Sequence, residues 1–282
     1  MFGDVGQGLV LFLGGLFLYK TKKMDLAGII SCAGVFSVFF GFMYGSFFGF
    51  EDVLKAIWLK PMNQMMDVPL VGRLNAVFVI AIGFGMFIIL ICMVFNIINS
   101  IRRGDTEKTW FDSNAVAGLV FYGSIVLTIG LFISGKKLPA AAILVIMFGV
   151  PLLLMFLKEP LTNLVEKKSK ILPEQKGMFF VQSFFELFEV LLSYLSNTLS
   201  FLRIGAFAVS HAAMMEVVLM LAGATNGGSP NWIVVVLGNI FVCAMEGLIV
   251  GIQVLRLEYY EIFSRFYAGN GREFKPFMKA AQ

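Results

Sequence analysis

Two arginines, Arg203 and Arg256, lie in the middle of long apolar stretches, and each shares its helix face with a glutamate. A guanidinium keeps its proton even in apolar surroundings. At the centre of a membrane span it costs about 2.5–3.5 kcal/mol on insertion scales. A chain that keeps such charges needs a polar path or a carboxylate beside them, so these arginines are the first candidates for function.

The composition indicates a membrane protein. Hydrophobic residues make up 59% of the 282 residues and charged residues only 14%, whereas a soluble domain has roughly a quarter charged residues. The mean hydropathy is +0.86. The sequence has no glycine-rich phosphate-binding loop and no cluster of metal ligands, and Cys32, Cys92 and Cys243 are irregularly spaced. We therefore expect a protein that is not itself an enzyme, with no cofactor, metal or nucleic-acid partner.

Stretches of about 20 apolar residues predict an all-α integral membrane protein with seven transmembrane helices. The predicted spans are residues 3–20, 26–48, 73–99, 114–134, 139–157, 178–222 and 231–267. Two of the intervening segments mix charged and apolar residues, and we expect each to form a short helix at a membrane surface. These segments are Phe50–Leu70 and Leu161–Ile171.

The lysines and arginines between the spans predict the orientation, because cytoplasmic loops carry an excess of them. Loops on one side, together with the C-terminal tail, in which Arg265 is counted, hold 15 of these residues, and loops on the other side hold 4. We therefore expect a multi-pass protein of the cell membrane, with the C-terminus in the cytoplasm and Met1 outside.

The last two predicted helices are unusually long. A continuous helix over residues 178–222 would extend roughly 60 Å or more, about twice the hydrocarbon thickness of a membrane. We expect both helices to be strongly tilted. The chain then divides into a peripheral five-helix bundle, residues 1–177, and a two-helix ion-path unit with a cytoplasmic tail, residues 178–282.

Polar side chains recur along these two helices, mostly at steps of three, four or seven residues, which keeps them on one helix face. Polar residues inside a membrane face a bundle interior or a water-filled cavity, so two facing stripes predict a hydrated path for an ion. The first stripe comprises Gln182, Glu186, Glu189, Ser193, Ser196, Ser200, Arg203, Ser210 and His211, and the second comprises Asn239, Cys243, Glu246, Gln253, Arg256 and Tyr260.

Some stripe residues have a purely structural alternative. Serines in membrane helices often only hydrogen-bond a neighbouring helix, which leaves both interpretations open for Ser193, Ser196 and Ser200. His211 is by default a satisfied interior histidine, with proton transfer as the alternative.

The glutamates differ in what their positions predict. An ion pair between the two helices is the structural alternative for Glu246, whereas Glu186, Glu258 and Glu261 lie towards helix ends and are expected to be solvated. Arg203 has only Glu189 as an acid on its own face, four turns away. Its position therefore predicts a carboxylate partner from another chain.

Two stretches of the sequence resemble signatures of one family. Ser193–Glu216, SYLSNTLSFLRIGAFAVSHAAMME, resembles the SxxSNTxSYLRLWALSLAH signature in the membrane domain of subunit a of V-type ATPases, called subunit I in bacterial and archaeal V/A-type enzymes. Met245–Phe277, MEGLIVGIQVLRLEYYEIFSRFYAGNGREFKPF, resembles the MEGxxxxxxxLRLxxxExxxKFYxGxGxxFxPF ending of that family, and the opening MFGDVGQG also matches a family motif. Phe201 stands where the family usually has Tyr, and Ile204–Gly205 where it has Leu-Trp, as fits a bacterial member.

The resemblance implies roles for individual residues. By position, Arg203 is the essential arginine that faces a rotor ring, and Arg256 is a second functional arginine on the last helix. Glu189, Glu246 and His211 fall on positions implicated in the ion path. We place four more polar residues in the same path: Ser196, Asn197, Ser200 and Gln253.

The resemblance also implies a function and partners. The family is the stator subunit of a rotary V/A-type ATPase or ATP synthase, with two half-channels for H⁺ or Na⁺ and an arginine that discharges the ring glutamates. Its partners are a rotor ring of small c- or K-type proteolipid subunits, a central-stalk socket subunit, peripheral stalks and the lipid bilayer. Members carry a cytoplasmic N-terminal arm, which contacts the peripheral stalks, followed by eight spans. We expect this chain to be the membrane domain without that arm and its first helix.

Two other classes of protein are weighed against this one. A stand-alone secondary transporter or channel usually has helices interrupted by Gly or Pro at its site, but neither polar stripe contains a proline. An intramembrane aspartyl protease would use Asp4, but it needs a second aspartate within a span, and the predicted spans contain no other.

Overall fold

The structure, a computed structural model, describes residues 3–50, 53–61, 65–68, 72–105, 109–136, 139–165, 176–224, 230–267 and 269. These residues form long helices and one two-stranded hairpin. In chain order the elements are α1 (Val5–Lys22), α2 (Asp25–Tyr44), β1 (Met65–Val68), β2 (Gly72–Asn75), α3 (Ala76–Arg103), α4 (Val116–Ile133), α5 (Ala141–Phe156), α6 (Lys158–Val165), α7 (Lys176–Ser200), α8 (Leu202–Leu221) and α9 (Trp232–Leu257), followed by a π-helical turn (Glu258–Phe263) and a last helical turn (Ser264–Phe266).

The all-α membrane fold is confirmed, but the count of seven spans is not. Among the described residues, five helices are long and apolar enough to cross a membrane: α2, α3, α4, the 45-residue stretch Gly177–Leu221 and the 35-residue stretch Trp232–Phe266. A sixth span results if α5 and α6, which meet at 72°, form one broken span. α1 is an 18-residue helix with Lys20 and Lys22 in its last turn, and it is not among these spans.

The loop between α2 and α3 differs from the sequence prediction. Residues 53–61 form bends and turns, so no interfacial helix is present in that part of Phe50–Leu70. β1 and β2 follow as an antiparallel pair. The side chain of Asn75 then caps α3 by accepting a hydrogen bond from the backbone N–H of Val77 at 3.0 Å.

The second predicted surface segment begins within a helix. α6, Lys158–Val165, is a short helix that covers the beginning of Leu161–Ile171. Residues 166–171 lie outside the described part of the chain.

α1 and α2 form an antiparallel hairpin with closely approaching backbones. A Cβ atom added to Gly34 would lie 2.5 Å from the backbone nitrogen of Phe12, and one added to Gly41 would lie 2.4 Å from that of Val5. Small residues at such contacts are typical of helix association in membranes, where close packing replaces the hydrophobic driving force. The hairpin therefore places the start of α1 firmly beside the end of α2.

The main apolar core fixes α7 and α8 against α3 and α4. Phe201, at the junction of α7 and α8, is 1% exposed. Its ring covers Gly85 of α3, where an added Cβ atom would lie 2.2 Å from Cγ of the phenylalanine. The buried members of this core are Met86, Ile89, Met93, Ala117, Phe121, Tyr122, Met155, Tyr194, Phe201 and Leu257.

Candidate functional site

Two groups of polar residues lie along the long helices, on either side of Arg203. The first polar cluster consists of Gln7, His211, Asn239 and Glu246, and the second consists of Asn114, Ser200, Glu261 and Arg265. In α8, His211 follows Arg203 by eight residues, which is about 12 Å along the helix axis. Ser200 precedes Arg203 by three residues, about 4.5 Å in the other direction.

The first polar cluster joins α8, α9 and α1. Nδ1 of His211 lies 2.7 Å from Oε2 of Glu246, and these residues are only 4% and 5% exposed. Nε2 of Gln7 donates a hydrogen bond to Oδ1 of Asn239 at 2.8 Å. The structure therefore gives His211 and Glu246 each other as partners, rather than pairing Glu246 with an arginine.

Asp4 holds the first polar cluster in place from the start of α1. Its fully buried carboxylate accepts hydrogen bonds from the backbone N–H groups of Gln7, Phe48 and Gly49 and from the Ser46 hydroxyl, at 2.8–3.0 Å. Both oxygens are thus engaged in capping α1 and fixing the loop after α2. This arrangement is that of a structural anchor, and it gives the aspartyl protease interpretation no support.

A small cavity adjoins the first polar cluster. Its volume is about 20 Å³, which is enough for one water molecule. Its lining includes His211 and Met215 of α8, Tyr44 at the end of α2 and Ser46 in the following loop. The polar surface around His211 is therefore continuous with the loop that Asp4 anchors.

The second polar cluster contains a carboxylate that the sequence prediction places wrongly. Glu261 is 6% exposed rather than solvated, and its carboxylate reaches Ser200 at the end of α7. The Ser200 hydroxyl donates a hydrogen bond to Oε1 of Glu261 and accepts one from Nη2 of Arg203 at 3.4 Å. Nη1 of Arg203 is buried and has no hydrogen-bond partner among the described residues.

Arg265 is a buried residue, although its position in the C-terminal tail predicts a cytoplasmic charge. It is 6% exposed, and its Nη1 donates a hydrogen bond to Oδ1 of Asn114 at 2.9 Å. Its guanidinium carbon lies 5.8 Å from the centre of the Tyr194 ring, within the range of a cation–π contact. Arg265 follows Glu261 by four residues in the sequence, and this spacing indicates that both lie on one helix face.

A polar cleft extends the second cluster along α7. Its volume is about 280 Å³. At its wall, Nδ2 of Asn197 donates a hydrogen bond to the Ser193 hydroxyl at 3.2 Å, and Glu186, which also lines the cleft, forms an ion pair with Lys158. The lining residues are Ser113, Asn114, Glu186, Glu189, Val190, Ser193, Tyr194, Asn197, Ser264 and Arg265.

The structure does not bring every predicted site residue together. Arg256 is exposed on the surface of the chain, and it makes no hydrogen bond within the described residues. Ser196 is also exposed. Gln253 is partly buried, with Oε1 buried and unpaired in the part of the chain that the structure describes. Arg203 is half-buried, so this chain alone encloses neither arginine.

Comparisons with known proteins show which proteins this chain is similar to. Residues 161–279, which include α7, α8 and α9, match the V-type ATPase 116kDa subunit family. Over 98% of its length, the chain is 27% identical to the A-type ATP synthase subunit I of Aeropyrum pernix and covers 44% of that protein. Over nearly its whole length, the chain is therefore similar to subunit I of A-type ATP synthases.

Other relatives are more similar to this chain over shorter regions. The A-type ATP synthase subunit I of Saccharolobus solfataricus is 42% identical over 32% of this chain, which is 14% of that protein. The human V-type proton ATPase 116 kDa subunit a 3 is 35% identical over 33% of this chain and 13% of its own length. The chain spans less than half the length of the curated relatives that it matches.

Proposed function

We propose that this chain is the stator subunit of a rotary V/A-type ATPase or ATP synthase. It provides two half-channels for H⁺ or Na⁺ and the arginine that discharges the glutamates of a rotor ring. The observation that carries the proposal is the environment of Arg203. Its Nη1 is buried and has no hydrogen-bond partner among the described residues, and the residue lies between the two polar clusters. A fixed charge in that position is suited to an arriving carboxylate.

The first polar cluster and the cleft beside the second polar cluster are suited to be the inner parts of two half-channels. Polar residues at membrane depth line water or a bundle interior, and each cluster extends away from Arg203 in a different direction along the helices. In this proposal, the first polar cluster belongs to the outer half-channel. The cleft beside the second polar cluster, which is lined by Glu189 and Asn197 among others, belongs to the cytoplasmic half-channel.

Arg203 has two functions in this mechanism. Its positive charge favours the ionised form of a ring carboxylate that reaches it, so the carboxylate releases its ion. It also prevents ions from passing directly between the half-channels, because a guanidinium stays protonated and repels other cations. The catalytic hydrolysis or synthesis of ATP belongs to other subunits.

The remaining assignments follow from the same proposal. The partners are the ring of small c- or K-type proteolipid subunits, the central-stalk socket subunit, the peripheral stalks and the lipid bilayer. Residues 178–282 form the ring-facing unit and residues 1–177 the peripheral bundle, in a cell-membrane protein whose C-terminus is cytoplasmic. Arg73 lies in β2, before α3, and raises the outer basic count from 4 to 5. Without the buried Arg265 the cytoplasmic count falls from 15 to 14, so the predicted orientation is unchanged.

Ion transport by the complete complex tests the proposal. Arg203→Lys and Arg203→Ala are each expected to abolish ATP-driven ion uptake into vesicles that contain the reconstituted complex. Lysine fails because its ammonium is a compact charge that can lose its proton in apolar surroundings. Arg102→Lys, an exposed position in the last turn of α3, is the control and should transport normally. Full uptake by the Arg203→Lys complex would refute the assignment.

The alternative, a stand-alone transporter, has one feature in its favour. α5 and α6 are bent by 72°, and broken helices often mark transporter sites. However, the α5 sequence AAILVIMFGVPLLLMF is entirely apolar, and the break lies outside both polar clusters. Vesicles that hold the purified chain alone separate the two functions, since only the transporter would move ions without a ring.

A further inference from the structure

The last membrane helix changes its winding where it passes Ser200. After α9 ends at Leu257, residues Glu258–Phe263 form a π-helical turn. Such turns are rare, occur mostly as single turns within α-helices and are frequent at functional sites. Glu261 lies within this turn and is buried.

Glu261 is connected to Arg203 through one hydroxyl group. A serine hydroxyl has a single proton and two lone pairs. Since Ser200 donates its proton to Oε1 of Glu261, a lone pair remains for Nη2 of Arg203, which lies 3.4 Å away. The carboxylate therefore fixes the direction of the hydroxyl, and the hydroxyl fixes one edge of the guanidinium.

The other edge of the same guanidinium has a different environment. Nη1 of Arg203 is buried, and none of the described residues accepts a hydrogen bond from it. The arginine side chain has several rotatable bonds and loses up to about 2 kcal/mol of rotamer entropy when it is held in one position. If one edge of the guanidinium is already held, less rotamer entropy is lost when a partner binds the other edge.

We propose that Glu261 is a positioning residue that acts on Arg203 through Ser200. It holds the Nη2 edge of the guanidinium and leaves Nη1 available to the carboxylate of an arriving rotor subunit. This inference rests on the proposed stator function. It differs from a role in the ion path, in which Glu261 itself would bind the transported ion.

The test uses the complete complex, reconstituted in vesicles, and measures turnover per assembled complex and apparent affinity for the transported ion. We expect Ser200→Ala and Glu261→Gln each to lower turnover about tenfold, since each weakens or removes a hydrogen bond to a charged group. The apparent affinity for the ion should not change. The double variant should be no slower than the slower single variant, because both residues act through one contact. Glu258→Gln, in the same π-helical turn but partly exposed, is the control.

Three results would contradict the inference. A changed ion affinity in Glu261→Gln would place Glu261 in the ion path. Additive losses of turnover in the double variant would show that Ser200 and Glu261 have independent roles. Normal turnover in Ser200→Ala would show that the hydroxyl does not position Arg203. If Glu261→Gln does not assemble, Ser200→Ala still decides, because it leaves the carboxylate intact. Arg203→Ala is measured in parallel. Normal transport by Arg203→Ala would refute the stator function itself. If Arg203→Ala is inactive and Ser200→Ala transports normally, only the positioning role of Glu261 is refuted.

Discussion

His211 and Glu246 form a hydrogen bond of 2.7 Å between Nδ1 and Oε2, and this bond joins the two long helices at a buried level about 12 Å from Arg203 along α8. Neither residue is within helical reach of the other in sequence, since 35 positions separate them. Their contact therefore reports how α8 and α9 pack, and it provides a direct test of the first polar cluster.

Breaking this pair should impair transport. His211→Leu leaves a buried carboxylate without its partner, and an unsatisfied buried charged group costs about 1–3 kcal/mol or more. We expect a clear loss of ATP-driven ion uptake in the reconstituted complex, and a non-additive effect when Glu246→Gln is combined with it. Glu216→Gln, an exposed glutamate on the same helix, is the matched control. Independent effects of the two variants would show that the pair does not act as a unit.

Asp4 should be essential for stability rather than for chemistry. Asp4→Asn retains one acceptor oxygen for the four donors that the carboxylate binds, and each hydrogen bond to a charged group contributes about 1.5–3 kcal/mol. The thermal stability of the purified chain in detergent should fall markedly. Asp25→Asn is the control, because Asp25 is exposed in the first turn of α2. A stable but transport-deficient Asp4→Asn complex would instead indicate a direct role in the ion path.

Gly85 should not tolerate even a methyl group. The Cβ atom of Gly85→Ala would lie 2.2 Å from the ring of Phe201, so the junction of α7 and α8 must shift, and overpacking of a core typically costs about 1–3 kcal/mol. Thermal unfolding of the purified chain measures the loss. Gly83→Ala meets no neighbouring atom within 4 Å and should be neutral or stabilising by up to about 1 kcal/mol. Equal behaviour of the two variants would argue against the packing of Phe201 on α3.

Labelling of single cysteines tests the orientation. Asp105→Cys and Lys136→Cys lie just after α3 and α4 respectively, at exposed positions. In a background without Cys32, Cys92 and Cys243, a membrane-impermeant maleimide added to intact cells should label Lys136→Cys and not Asp105→Cys. The reverse pattern would invert the topology predicted from the basic residues, and labelling of both would mean that α4 does not cross the membrane.

The sequence by itself determined where the long helices lie and which of their faces are polar. Long apolar stretches predicted most spans to within a few residues, and the absence of proline from residues 178–222 predicted the 45-residue span in which α7 and α8 meet at Phe201. The recurring three- and four-residue steps placed Ser200, Arg203 and His211 on one face. These properties are local, because hydropathy and helical periodicity depend on neighbours in the chain.

Only the tertiary structure decided which residues meet. His211 and Ser200 have their partners on the next membrane helix. Which residues meet depends on the axial offset between the two helices, and the periodicity within one helix does not predict that offset. The burial of Glu261 depends on the π-helical turn, whose extra residue per turn changes the face on which a side chain lies. The burial of Arg265 beside Tyr194 and Asn114 depends on contacts with helices far away in sequence. For that reason the count of basic residues predicted a cytoplasmic Arg265, whereas in the structure it is buried next to the candidate site.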